Sequence, residues 1–399
     1  MPWKEMSPMI EKMRFVLDYE KKLFGMTQLA EQYGISRKTA YKWLDRFYEY
    51  GASGLEDRPS VAERVANRTA RDMEQLIVRL RERQKTWGPK KLLDTLARKH
   101  PRLHLPARST VAEILKRYGL VETPPRRRRE GHPGRPTSRA QAPNDIWGGD
   151  FKGQFRTLDG FYCYPFTVSD LCSRFLICCD GQLSTAMDPV QAALESAFRE
   201  HGLPDAFRTD NGSPFASPGI GRLTRLGVWL LKLGIRRELI EPGRPDQNGC
   251  HERMHRTLKR EATIPPGANL RAQRKRFDIF RKQFNEERPH EGIGMKYPAE
   301  VYQPSRRPFP EILKTPDYPA HFEVRRVSRN GAVRWKGDWL NVGHSLIQEN
   351  LGFLEVEDGI WNAHFGAMLI GRFDERDLRL VGTLSVHYRS GQHDPTHLS

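Results

Sequence analysis

Residues 10–60 carry apolar positions spaced as on short amphipathic helices. Leu29 and Ala30 are expected to face a core, Gly34 to make a turn, and Ser36 to cap a second helix. This order predicts a helix-turn-helix, whose second helix offers polar side chains to the DNA major groove. A helical hairpin with a solvated basic face is the alternative. The side chains that would meet DNA are Arg37, Lys38, Thr39, Tyr41 and Lys42.

A second helical region is predicted over residues 65–122. The pattern favours helices over 72–85 and 90–99, then a third helix capped by Ser109 and stopped by Gly119. We interpret this region as a second helix-turn-helix, and a helical spacer between domains is the alternative. Its predicted DNA contacts are Arg108, Ser109 and Thr110.

From Trp147 onward the pattern changes to short β-rich runs. Three such runs, followed by alternating helices and strands, have the element order of a ribonuclease-H-like α/β sheet covered by helices. Beyond a proline-rich joint, a second strand-rich stretch predicts a small SH3-like β-barrel. The expected strands are 149–156, 161–170, 175–180, 206–210 and 235–240, and the expected helices are 189–201, 223–233, 250–261 and 271–287.

Charge indicates the kind of partner. The 399 residues include 66 Lys and Arg against 49 Asp and Glu, a net charge of +17 that favours a polyanionic partner. Residues 123–143 form a basic, proline-rich linker that either tracks phosphates or is a solvated spacer. The arginines of this linker that we expect on DNA are Arg126, Arg127, Arg128 and Arg129.

Two further features concern the cellular compartment. No stretch approaches the roughly 18 apolar residues of a membrane span, and the N-terminus lacks the apolar core of a signal peptide. The five cysteines are odd in number and four of them crowd one apolar segment, which indicates reduced thiols rather than a disulfide framework. We therefore expect a cytoplasmic protein without a membrane partner.

Three acidic residues, Asp150, Asp210 and Glu252, are the candidates for chemistry. Each alone has an ordinary explanation, as a strand-edge residue, a turn residue or an exposed helical residue. Two carboxylates from adjacent strands and one from a following helix can, however, converge on divalent cations such as Mg²⁺ or Mn²⁺, which prefer oxygen ligands. Two such ions about 3.5 to 4 Å apart stabilise both oxygens of an in-line phosphoryl transfer.

Three motifs carry a family resemblance: Trp-x-x-Asp ending at Asp150, Thr-Asp-Asn-Gly-x-Pro-Phe around Asp210, and Gln-Asn-Gly-x-x-Glu-Arg-x-His around Glu252. They resemble bacterial insertion-sequence DDE transposases of the retroviral-integrase superfamily. The segment Asn-Glu-Glu-Arg-Pro-His at 285–290 is similar to one that these transposases carry after the catalytic helix. The resemblance spans about 147–302 and extends to the N-terminal helical pair.

The resemblance implies Asp150, Asp210 and Glu252 as a catalytic and metal-binding triad with two Mg²⁺ ions, for which Mn²⁺ can substitute. It implies DNA as the partner, both terminal inverted repeats and target DNA, with a homo-oligomer on DNA and no small-molecule substrate. It also implies a bacterial, nucleoid-associated protein. Around the triad, the expected DNA contacts are Lys152, Asn211, Arg253, His255, Arg256 and Lys259. A solvated, salt-bridged helix is the alternative explanation for the last three.

The sequence departs from the retroviral branch in two respects. Forty-one residues separate Asp210 from Glu252, a longer spacing, and we place the surplus in 213–225. Asp246 lies near the third position and is the alternative to Glu252. No His or Cys precedes His100, so the zinc module that opens retroviral integrases is missing, and helix-turn-helix modules take its place.

The leading hypothesis is a transposase that cleaves at the ends of its own element and joins the 3′-hydroxyl to target DNA. The alternatives are a DNA-binding regulator with an inactive core, a metal-dependent endonuclease without strand transfer, and a structural chromatin-like protein that uses charge alone. The expected organisation is two helix-turn-helix domains, a linker, a catalytic core, a β-barrel and a tail, at 1–64, 65–122, 123–143, 144–305, 318–385 and 386–399.

Overall fold

The computed structural model of the protein describes residues 8–57, 69–121, 138–241 and 249–382. They divide into two compact units, Met1–Thr69 and Ala70–Ser399, and each unit is described by itself. The predicted linker arginines Arg126 to Arg129, the alternative ligand Asp246 and the predicted tail lie outside the described residues. None of the helices in the described ranges combines the length and apolar character that crossing a bilayer requires.

The first unit is a three-helix arrangement that ends in a short 3₁₀ turn. Ser36 caps the third helix as predicted, because its Oγ accepts a hydrogen bond from the backbone N–H of Thr39 at 3.1 Å. Gly34 makes the preceding turn at φ +62°, a conformation that favours glycine. The helices are α1 (Pro8–Glu20), α2 (Met26–Gln32) and α3 (Arg37–Tyr50), packed around Phe15, Val16, Leu29, Ala30, Ala40, Trp43, Leu44 and Leu55.

The second unit opens with three more helices, α4 (Arg71–Arg83), α5 (Pro89–Lys99) and α6 (Arg108–Arg117). Their shared core contains Trp87, the residue at the predicted break. The prediction that Ser109 caps α6 is wrong: Ala107 precedes the helix, which begins at Arg108, and Ser109 lies in its first turn without a capping hydrogen bond. Gly119, at φ +68°, follows the end of α6 as predicted.

A mixed sheet follows in the order β4-β3-β1-β5-β6, with β2 pairing with the start of β3. β1, β3 and β4 form the predicted antiparallel meander, while β5 runs parallel to β1 and β6 parallel to β5. The first predicted strand is split into two. The strands are β1 (Ile146–Phe151), β2 (Phe155–Arg156), β3 (Tyr162–Asp170), β4 (Leu176–Gln182), β5 (Ala206–Thr209) and β6 (Arg236–Leu239).

Helices pack on both faces of this sheet, which is the predicted ribonuclease-H-like architecture. One core joins Trp147, Phe166 and Phe207 of the sheet to α7 and α8. A second core joins Cys163 and Leu176 to α9 and α10 on the other face. The helices are α7 (Met187–His201), α8 (Arg225–Lys232), α9 (Gly249–Ala262), α10 (Leu270–Glu286) and α11 (Pro298–Val301).

The C-terminal part is a small antiparallel β domain, consistent with the predicted class. A five-stranded sheet in the order β13-β12-β11-β10-β7 and the hairpin β8-β9 enclose one core, which also includes Leu223 and Val228 from the α8 region. The strands are β7 (Glu323–Arg326), β8 (Ala332–Trp335), β9 (Asp338–Asn341), β10 (Asn350–Glu357), β11 (Ile360–Phe365), β12 (Met368–Asp374) and β13 (Val381–Gly382).

Candidate active site

Asp150 and Asp210 lie at the same end of two neighbouring parallel strands. Gly148 of β1 pairs with Arg208 of β5, so two residues further along each strand the two aspartates are at matching positions. Asp210 follows the last residue of β5 and closes a turn in which the N–H of Gly212 donates to its Oδ1 at 3.1 Å. The strand pairing therefore brings the two predicted carboxylates together.

Glu252 comes from the first turn of α9, where its side chain is exposed. It lies within electrostatic reach of the two aspartates. Burial, followed by the negative charges of Asp210 and Glu252, raises the pKa of Asp150 to about 7, although the backbone N–H of Phe151 and the charge of Lys152 act in the opposite direction. The charges of the other two predicted carboxylates thus act on Asp150.

This donor set suits a hard divalent cation, because three carboxylates supply oxygen ligands and their mutual repulsion is relieved by positive charge. Within the described ranges, no three His, Cys, Asp or Glu side chains are already gathered closely enough to hold a metal ion. The fit therefore rests on the donor chemistry and on the raised pKa of Asp150.

A buried hydroxyl lies beneath the site and was not singled out in the sequence. Thr167 of β3 pairs with Asp150, and its Oγ1 donates to the backbone carbonyl of Asp150 at 3.1 Å. The same Oγ1 lies 2.8 Å from Nε2 of His251 and 2.7 Å from Nε2 of His255. Because the hydroxyl proton is used on the carbonyl, both imidazoles donate from Nε2. The strand register of β1 and β3 is the signal that points to Thr167.

The prediction that His255 contacts DNA is wrong. Its side chain is 6% exposed, and Nδ1 lies 3.8 Å from Oδ2 of Asp150. Burial, with smaller contributions from His251 and Lys152, lowers the pKa of His255 to about 2, so the ring is neutral and is not available as a phosphate-binding cation. His255 is instead linked to the backbone of Asp150 through the Thr167 hydroxyl.

We expect Thr167→Val to lower the free energy of unfolding by about 1 to 3 kcal/mol, because it leaves the buried imidazole N–H of His255 without an acceptor, whereas His251 keeps the backbone carbonyl of Thr167. Urea denaturation of the full chain measures the loss. Thr167→Ser is the matched control: it keeps the hydroxyl and removes one methyl group, worth about 0.8 kcal/mol. Equal stability of the two variants would show that the shared hydroxyl contributes nothing.

The other predicted contacts near the triad occupy different environments. Asn211 donates from its side-chain amide to the carbonyl of Ile240 at 2.7 Å, which ties the Asp210 turn to the end of β6. Lys152 is half-buried beside Asp150. The predicted contacts Arg253, Arg256 and Lys259 are exposed on α9.

The predicted contacts of the helical regions are mostly on the surface. Four of the five residues on α3 are exposed, whereas Thr39 is half-buried and its hydroxyl lies 2.8 Å from that of Ser36. In the first turn of α6, Arg108 and Ser109 are exposed and Thr110 is half-buried. The exposed residues on α3 are Arg37, Lys38, Tyr41 and Lys42.

Comparison with protein families agrees with this organisation. Two models described as integrase core domains match residues 140–245 and 233–298. A homeodomain-like domain matches 39–115 and a helix-turn-helix domain matches 11–60. Residues 140–298 therefore match integrase core domains and are preceded by a region that matches helix-turn-helix domains, and the predicted resemblance is confirmed.

Its relatives include proteins of bacterial insertion elements. The chain is 29% identical over 185 residues to a 31.7 kDa protein of insertion element IS407 from Burkholderia multivorans, covering 46% of this chain and 61% of the relative. It is also 29% identical over 235 residues to a 39.2 kDa protein of insertion element IS476 from Xanthomonas euvesicatoria, covering 56% and 62%. The chain thus spans about three fifths of the length of each relative.

The solved structures that match this chain include two of viral proteins. The simian T-cell lymphotropic virus intasome in complex with PP2A regulatory subunit B56 gamma matches at 17% identity and a TM-score of 0.36, over 73% of this chain and 97% of that one. The HTLV-2 integrase catalytic core domain in complex with magnesium matches at 16% identity and a TM-score of 0.34, over 41% and 100%.

Proposed function

We propose that the protein is a DNA transposase that binds the terminal inverted repeats of its own element, cleaves at the element ends and joins the 3′-hydroxyl to target DNA. The observation that carries this proposal is the pairing of β1 with β5, which puts Asp150 and Asp210 at matching positions at one sheet edge, with the charge of Glu252 acting on Asp150. Three carboxylates at one sheet edge are the donor set that metal-dependent phosphoryl transfer uses. The integrase core match and the insertion-element relatives support the same reaction class.

In this proposal Asp150, Asp210 and Glu252 hold Mg²⁺, or Mn²⁺ in its place. Two such ions, when bound, stabilise the attacking and leaving oxygens of an in-line displacement. The chain itself contributes rigidity, because two paired strands fix the aspartates and the Thr167 hydroxyl fixes the backbone of Asp150. The cations that would attract strand phosphates are Lys152, Arg253, Arg256 and Lys259.

The helical regions are proposed to recognise the element ends. The exposed polar side chains at the start of α3 are in the position from which a recognition helix reads base edges, and those of α6 offer a second contact. We propose the domain boundaries given above, and a homo-oligomer on DNA, as part of this assignment. Recognition and chemistry then belong to different parts of the chain.

The test uses the purified full chain, a labelled duplex carrying the imperfect inverted repeats sought beside the coding region, and a target plasmid. We expect joined product with Mg²⁺ or Mn²⁺, none with EDTA, and none with a duplex of scrambled sequence. Nicked but unjoined DNA would favour the endonuclease alternative. Specific binding without any strand breakage would favour the regulator.

A further inference from the structure

A pocket of about 350 Å³ lies beside the first turns of α9. Its walls come from α5, the turn between β3 and β4, α9 and the segment after α10. That last segment contains Arg288 and His290 of the Arg-Pro-His motif, to which the proposed chemistry gives no role. The basic side chains that line the pocket are Lys91, Arg174, Arg253 and Arg288.

The acidic groups of this pocket are already engaged. The buried Asp170 carboxylate accepts hydrogen bonds from the backbone N–H groups of Ser173 at 2.7 Å and Asn144 at 2.8 Å. Glu291 is paired with Lys90 at 3.1 Å. Both carboxylates of the pocket therefore have direct partners other than Lys91 and Arg174, although the charge of Glu291 also acts on Lys91.

Of the pocket cations, Arg288 has its own partner, since it contacts Glu261 at 2.8 Å. Lys91 differs: no carboxylate oxygen of the described residues lies within 4.0 Å of its Nζ. Burial, and then the charge of Arg288, lowers the pKa of Lys91 to about 8, although the charges of Glu291 and Glu261 act in the opposite direction. A half-buried ammonium without a direct ion pair is costly, and an anionic ligand in contact with it would relieve that cost.

The cations converge on His290. Burial and then the charges of Lys91, Arg288 and Arg174 lower the pKa of this imidazole to about 3. Its Nε2 is buried without a hydrogen-bond partner, and so is Nδ1 of His251, a residue only 1% exposed on the same wall. Positive charge from α5, the turn between β3 and β4, and the segment after α10 indicates a negatively charged occupant. The two imidazole nitrogens without partners are unprotonated acceptors in neutral rings, so they do not themselves attract an anion.

We propose that this pocket binds a phosphate group of a DNA strand, through Lys91, Arg174 and Arg253. This inference rests on the proposed function, since it takes DNA as the ligand. His251 and Arg253 line the pocket and flank Glu252 in sequence, so a strand held here passes beside the third carboxylate. Because Lys91 belongs to α5, the same phosphate contacts both the second helical region and the core.

The first test measures protection of Lys91 from reductive methylation in the full chain, read by mass spectrometry of the peptide that contains it. Lys90 is the internal control, because it is exposed and paired with Glu291. We expect a 20-base-pair duplex without terminal-repeat sequence to protect Lys91 several-fold and Lys90 little. Equal labelling of Lys91 with and without duplex would overturn the proposal. Protection by inorganic phosphate or thymidine monophosphate but not by duplex would assign the pocket to a free phosphate and overturn the DNA source.

The second test compares Lys91→Gln with Lys90→Gln in fluorescence anisotropy titrations of the same duplex at several salt concentrations. Loss of one phosphate contact should reduce the slope of log affinity against log salt by roughly 0.9, and only for Lys91→Gln. Identical slopes for the two variants would contradict the proposal, and unchanged thermal midpoints show that both fold. Neither test measures DNA joining. If the joining assay failed while duplex still protected Lys91, the proposed transposase function would be refuted and the phosphate-binding proposal would stand.

Discussion

Asp150→Asn, Asp210→Asn and Glu252→Gln are each expected to lower DNA joining by about 10³-fold or more while leaving the binding of terminal repeats close to that of the unchanged protein. Each substitution keeps the size of the side chain and removes the charge that would hold a divalent cation. Metal ions supply several kcal/mol of transition-state stabilisation, and about 4 kcal/mol corresponds to a factor of about 10³. Joining of labelled terminal-repeat duplex to plasmid measures the first quantity, and electrophoretic mobility shift measures the second.

The matched control is a double substitution in α3, which is expected to weaken the binding of terminal repeats and to leave the catalytic residues unchanged. Arg37→Ala combined with Lys38→Ala leaves the triad intact but removes two exposed cations from the first turn of α3. It should weaken terminal-repeat binding more than random-DNA binding, and an equal loss on both would indicate phosphate contact instead of base readout. Retained joining in all three triad variants would refute the metal-dependent mechanism.

The positions of Asp150 and Asp210 were accessible from sequence because both depend on local rules. Each residue lies at the end of a short β-rich run, and parallel neighbours in a sheet present their ends at one edge. The role proposed for Glu252 came from a motif, since the segment that leads to α9 has no pattern that places it. The order of helices and strands was also predictable, because hydrophobic periodicity and turn residues are local features of the sequence.

The burial of His255 could not be predicted from its helical spacing to Glu252. Around α9, positions four and seven residues after Glu252 are exposed, whereas the position three residues after it and the one before it are buried. Glu252 therefore lies at the boundary between the two faces, and residues on its two sides have opposite environments. Helical spacing alone does not tell which side of such a boundary turns inward.

The basic pocket was not predictable because its residues are distant in the chain. Lys91 and His290 belong to different elements that meet only after the second helical region packs on the core. Side chains that meet there include Arg98 and Glu300, whose ion pair at 2.6 Å has no signature in the local sequence.

The prediction for Ser109 was wrong for a different reason. Serine is common both at the N-cap and within the first turn of a helix, so an error of one residue in the predicted helix start changes its assignment.

Gly149, next to Asp150, has no room for a side chain, and the neighbouring sequence does not reveal this. A Cβ atom at this position would lie 2.4 Å from Cζ and 2.8 Å from Cε1 of Phe207. Phe207 is 1% exposed in the core formed with α7 and α8, so its ring has no free space to enter. The glycine thus allows β5 and β1 to pack closely at the point where the two aspartates meet.

Gly149→Ala is expected to lower the free energy of unfolding by about 1 to 3 kcal/mol, because the added methyl group overpacks a filled core. It should also reduce joining, since the strand that carries Asp150 must shift to make room for the methyl group. Gly153→Ala is the control, because a Cβ there has no heavy atom within 4 Å and should change neither quantity. Adding Phe207→Leu to Gly149→Ala removes the ring atoms in conflict, and the double variant should lose less stability than the two single losses combined. Equal unfolding midpoints in urea for Gly149→Ala and Gly153→Ala would show that the Phe207 ring yields without cost and that close packing here does not position Asp150.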